Sequence, residues 1–121
     1  YSDGTLDYID TVLCPVDAEK NTAAAIRLSA DGKTLYISNR GENTLVSFSV
    51  DGERLTLLQK ISCHGDFPRD FAITPCGRYI VCANQYTNNL TIFSLTDGEM
   101  RYVSSVENIE NPLCVTFYEA D

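Results

Sequence analysis

Basic charge is scarce in this sequence: seventeen Asp and Glu face nine Lys and Arg, for a formal charge of −8. Binding to a phosphate backbone needs concentrated Lys and Arg, so nucleic acid is not an expected partner. The acid excess reads instead as a solubility device. No apolar run approaches the roughly 18 residues a membrane-spanning helix requires, and no secretory apolar segment precedes the first repeat. No membrane role is expected, and the cytoplasm is the expected compartment. The five cysteines, Cys14, Cys63, Cys76, Cys82 and Cys114, are odd in number and contain no C-x-x-C pair. Neither a zinc site nor a disulfide framework follows, and free, mostly buried thiols fit a reducing environment. A nucleophile elbow, a phosphate-cradling Gly-rich loop, a zincin motif and an EF-hand loop are all missing, so no metal or cofactor is expected.

What is present is a repeat. The stretch LSADGKTLYISNRGENTLVSF, residues 28–48, recurs 45 positions later as ITPCGRYIVCANQYTNNLTIF, residues 73–93. Gly32 falls on Gly77, Leu35 on Ile80, Asn39 on Asn84, Leu45 on Leu90 and Phe48 on Phe93. A period of about 40–50 residues rich in strand signals belongs to the propeller range. Each copy reads as one blade, a four-stranded antiparallel sheet radiating from a central axis. The expected fold is all-β, with almost no helix.

The chain has 121 residues, too few for the four or more blades of a closed ring. It reads as part of a longer propeller, or as a unit that assembles with copies of itself through exposed blade edges. Along the chain, Leu6 to Val12 after the Asp3-Gly4 turn reads as the outer strand d of a preceding blade, within residues 1–12. One blade spans residues 23–61, with strands expected at Ala23–Ser29, Thr34–Asn39, Thr44–Val50 and Leu55–Ile61. A second spans 69–106, with Arg69–Thr74, Arg78–Asn84, Asn89–Leu95 and Met100–Val106. Pro112 to Phe117 matches the entry to strand a once more and reads as the inner strand of a closing blade, residues 112–117.

Strand order decides which loops share a face. In a four-stranded meander the d-to-a and b-to-c connections lie at one end of the sheet, and the other two at the opposite end. Arg40, Gln85, His64 and Arg69 therefore gather on one face. Arg40 and Arg69 are expected to converge near the mouth of the central channel, where planar bidentate donors would receive a phosphate or carboxylate. Arg27 lies within an inner strand, where it either points into a watery channel or is paired. His64 is the single histidine and the one side chain of the type that exchanges protons near neutral pH, a candidate general base. Asn39 and Asn84 end strand b in both copies and suit turn chemistry.

The segments LSADGKTLYISNRGENTLVSFSVDGERLTLL, FPRDFAITPCGRYIVCANQYTNNLTIF and NPLCVTF, at their mutual spacings, resemble the last third of the seven-bladed lactonase family. That family includes the cycloisomerase-2-type 6-phosphogluconolactonases and the fungal carboxymuconate lactonizing enzymes. The resemblance implies hydrolysis of 6-phospho-D-glucono-1,5-lactone to 6-phosphogluconate, in the oxidative pentose phosphate pathway, with a small anionic sugar lactone as partner and no cofactor. Arg69 matches the family's P-R-x-F arginine and Arg40 its S-N-R-G arginine. The chain departs at one point: relatives usually read A-E-I-H or A-D-I-H entering strand a, and here the segment is Ala24-Ala25-Ile26-Arg27. The alternative expectation is a propeller that binds an anionic sugar or a protein without turnover.

Overall fold

The computed structural model describes residues 4–17 and 19–120, and every regular element among them is a strand. Eight strands form two four-stranded antiparallel sheets. The first holds β1 (Thr22–Leu28), β2 (Thr34–Arg40), β3 (Thr44–Asp51) and β4 (Arg54–Ser62); the second holds β5 (Pro68–Ile73), β6 (Tyr79–Asn84), β7 (Asn89–Thr96) and β8 (Glu99–Glu107). Each sheet is a simple meander in chain order, so β1 and β5 are inner strands and β4 and β8 outer ones.

The 45-residue repeat extends to the irregularities. Register shifts interrupt β3 against β4 between Ser47 and Phe48, and β7 against β8 between Ile92 and Phe93, at equivalent positions. The inner strands are bulged too, between Ala23 and Ile26 in β1 and between Pro68 and Asp70 in β5. A bulge adds twist and re-aims the side chains beside it.

The sheets pack face to face. Ala25, Tyr36, Leu45 and Cys63 of the first blade share one buried cluster with Phe71, Ile80, Cys82, Phe93 and Met100 of the second. Small residues suit the crowded inner strand, as Ala25 shows. Farther out, the Gln59 amide clamps the second blade's outer strand, donating to Met100 O and accepting from Met100 N–H, both at 2.8 Å. Such pairing satisfies backbone groups that the next strand of the same sheet does not reach.

The connections are latched by a repeated asparagine. Asn43, left-handed at φ 61°, accepts the Phe67 N–H on its Oδ1 at 2.9 Å. One blade later Asn88, at φ 52°, accepts the Asn111 N–H at 2.8 Å. Asparagine is among the few residues that enter this region readily.

The two terminal segments correct the expected pattern. Leu6 to Val12, within residues 1–12, was expected as a strand, yet residues 6–17 carry no strand; residues 1–3 lie outside the described ones. Pro112 to Phe117 likewise joins no ladder. A strand needs hydrogen-bonded neighbours, and the two sheets already use β1–β4 and β5–β8 among themselves. What holds the second segment is its entry: Pro112 is buried, and Val115 N–H donates to Asp70 Oδ2 at 2.8 Å.

Candidate anion-binding site

Three arginines border one hollow beside the inner strands. Arg27 of β1, Arg40 at the end of β2 and Arg69 of β5 border one open depression of about 350 Å³, together with Ala23, Ala24, Ala25, Asp70 and Leu113. Arg69 and Asp70 are consecutive, and in a regular strand they would face opposite ways. The bulge between Pro68 and Asp70 brings both to the same hollow. The bulge in β1 does the same for the three alanines, whose short side chains leave the space open.

Each arginine is oriented by a different partner. Arg27 Nη2 donates to Asp70 Oδ1 at 2.8 Å, with the Asp70 carboxylate largely buried and Arg27 partly exposed. The Arg27 guanidinium also lies 5.9 Å from the centre of the Phe71 ring. Arg69 Nη1 donates to Gln85 Oε1 at 3.1 Å. Arg40 Nη2 donates to Ala23 O at 3.2 Å, and its guanidinium lies over the Phe67 ring at 5.2 Å.

The structure therefore brings Arg27, Arg40 and Arg69 together and places Gln85 behind Arg69. It sets His64 elsewhere. His64 takes a left-handed φ of 56° and its exposed ring stacks on Tyr102 of the outer strand β8, with ring centres 4.0 Å apart. It is not among the residues that border the arginine hollow. Asp70 escaped the sequence reading. An acid directly after the P-R arginine at an inner-strand entry is its signal, though regular strand alternation sets consecutive residues on opposite faces.

The depression carries three guanidiniums against one carboxylate, so it favours a ligand with negative charge, held by fork-shaped donors. Both Asp70 oxygens are occupied, one by Arg27 and one by the Val115 N–H, which suits structure rather than proton transfer. A larger hollow of about 510 Å³ lies between the blades, by the turns joining β1 to β2 and β5 to β6. It is bordered by Asp31 and Asp97 and by no Lys or Arg, which makes it unsuited to an anion. Among the described residues no group of three or more His, Cys, Asp or Glu is placed to hold a metal ion.

Similarity to known proteins agrees with this architecture. The sequence profile of the lactonase family, described as a 7-bladed beta-propeller, matches residues 1–117. A 6-phosphogluconolactonase of Bacillus subtilis is 31% identical over 104 residues, which cover 82% of this chain and 30% of that protein. A solved protein of Lactobacillus plantarum superposes with a TM-score of 0.82 at 42% identity, over 92% of this chain and 33% of the other. A periplasmic gluconolactonase of Pseudomonas aeruginosa does so with a TM-score of 0.74 at 35% identity, over 85% and 30%. The chain thus spans about a third of the length of these relatives. Two bulged four-stranded meanders, repeating every 45 residues and matched by that profile almost from end to end, make this chain a member of the seven-bladed β-propeller lactonase family.

Proposed function

We propose that these two blades belong to a larger ring that binds 6-phospho-D-glucono-1,5-lactone and opens it to 6-phosphogluconate, in the oxidative pentose phosphate pathway. The observation that carries this reading is the convergence of Arg27, Arg40 and Arg69 on one hollow. A phosphate monoester offers several oxygens to such donors, and a lactone carbonyl develops negative charge when water attacks it. Support also comes from the Bacillus subtilis relative that bears the 6-phosphogluconolactonase name. In this reading, water adds to the lactone carbonyl, the ring C–O bond breaks, and the ring oxygen takes up a proton as the acid forms. Arg69 and Arg40 hold the anion. Asp70 keeps Arg27 aimed at it, and Gln85 does the same for Arg69. In this reading the base that activates water comes from blades outside this chain, because both Asp70 oxygens are engaged and the His64 ring stacks away on Tyr102 of β8.

Among the described residues no free base borders the depression, which also favours a second reading, a ring that binds an anionic sugar without turnover. One experiment separates the two. In a protein carrying these blades within the complete ring, 6-phosphogluconate is titrated and lactone hydrolysis is followed. Arg69→Ala should weaken binding roughly ten- to hundredfold, the loss of a charge-assisted contact of about 1.5–3 kcal/mol. Arg78→Ala, in the turn that precedes β6, should change nothing. Equal affinity of wild type and Arg69→Ala removes the sugar-phosphate ligand. Binding without hydrolysis selects the second reading.

A further inference from the structure

Phe67 holds a backbone conformation that phenylalanine seldom adopts. Its φ of 64° lies in the left-handed region, which glycine and asparagine enter most easily. The next connection repeats the geometry with a residue better suited to it. Asn111 precedes Pro112 at φ 48°, latched through its N–H to Asn88, just as Phe67 precedes Pro68 and is latched to Asn43. The backbone thus accepts asparagine at this position, and the aromatic ring at 67 answers to another demand. Strain of this kind is characteristically held at ligand sites.

The surroundings of the ring identify that demand. The Arg40 guanidinium lies over it at 5.2 Å, and Tyr86 stacks on it with centres 4.3 Å apart. Arg27 has a carboxylate to orient it and Arg69 an amide. Among the described residues the Arg40 guanidinium makes one hydrogen bond, to Ala23 O, and its Nε is buried without a hydrogen-bond partner. Arg40 also borders two hollows, the arginine depression and a second of about 530 Å³ lined by Lys20, Asn21 and Phe67. What fixes the guanidinium decides which hollow it serves.

We propose that Phe67 is a positioning residue for anion binding: its ring supplies the face that holds Arg40 at the three-arginine depression. The proposal rests on reading that depression as an anion site. A cation over an aromatic face is attracted by the ring quadrupole, most strongly where water is excluded. The left-handed backbone at 67 is the local strain accepted to present the ring there.

The test is titration with 6-phosphogluconate, in the complete ring, of wild type, Arg69→Ala, Arg40→Ala, Phe67→Leu, Phe67→Tyr and the Phe67→Leu/Arg40→Ala double variant. Phe67→Leu should weaken binding about three- to tenfold, and Phe67→Tyr should stay within about twofold of wild type. Once Arg40 is alanine, Phe67→Leu should add nothing, because its effect passes through Arg40. If Phe67→Leu fails to fold, Phe67→Gly relieves the backbone and should show the same loss of affinity. Wild-type affinity for Phe67→Leu, with Arg69→Ala weakened, overturns the proposal alone. An undiminished effect of Phe67→Leu in the Arg40→Ala background overturns it in favour of a merely structural ring. No loss in either arginine variant overturns the anion-site reading and the proposal with it.

Discussion

Arg27 of β1 and Asp70 of β5 form an ion pair, Nη2 to Oδ1 at 2.8 Å, that ties the two blades together at their inner strands. The other Asp70 oxygen takes the Val115 N–H at 2.8 Å, so one carboxylate stitches three successive inner segments. Arg27 is thereby paired rather than free.

The first prediction follows from that pair. Asp70→Ala removes both contacts and should lower stability by about 1–2 kcal/mol, discounted because Arg27 is 42% exposed and regains water. Asp70→Asn keeps an acceptor for the Val115 N–H and should cost less. Urea unfolding midpoints measure both. An unchanged midpoint in Asp70→Ala would show that the stitch contributes nothing.

A second prediction concerns acid. Lys60 Nζ lies 2.8 Å from Glu42 Oε1 and 3.1 Å from Asp17 Oδ2, joining the β2–β3 hairpin to the segment before β1. The Lys60 ammonium, chiefly, holds the Glu42 carboxyl below its ordinary value of 4.5. A carboxylate with a depressed folded value stabilises the fold above its unfolded value, and that stability is lost as pH falls through the folded one. Glu42→Gln should therefore be less stable than wild type at neutral pH, and the two should converge as pH drops below 4.5. Parallel stability curves across that range would count against the pair.

The third concerns thiols. Cys76 is exposed on the turn after β5, and the Thr74 hydroxyl at 3.3 Å, followed by Arg78, lowers its thiol to about 7. Burial pushes Cys63 up to about 11 and raises Cys82 as well. The thiolate is the reactive form, so iodoacetamide should label Cys76 with a rate midpoint near pH 7 and leave Cys63 and Cys82 untouched in the native protein. Thr74→Ala should move the midpoint back towards the ordinary 9.0. Peptide mapping after timed labelling reads each site, and a midpoint unaffected by Thr74→Ala would remove the hydroxyl as the cause.

Periodicity made the architecture legible. The alternation of apolar residues and the Gly- and Asn-bearing turns place all eight strands within one residue of their observed ends, as with Thr44–Asp51 against an expected Thr44–Val50. These signals are local: side chains alternate with a period of two, and turns demand particular backbone angles. Strand order, and with it the face shared by Arg40, Gln85 and Arg69, follows from the meander alone. The lone terminal strands did not follow, because a strand exists only where another chain segment completes its hydrogen bonds.

The sequence by itself determined the repeat, the blades and the two arginines at their strand ends, since each depends on neighbours a few residues away or on one 45-residue period. The tertiary structure alone decided how those arginines are held. A bulge at Pro68–Asp70 turned Asp70 to the same hollow as Arg69 and against Arg27, 43 residues distant in the chain. A left-handed Phe67 put an aromatic face under Arg40. The same kind of turn at His64 sent the single histidine outwards to Tyr102. Such choices depend on backbone angles at single residues and on contacts between different blades, which no local pattern of residue types encodes.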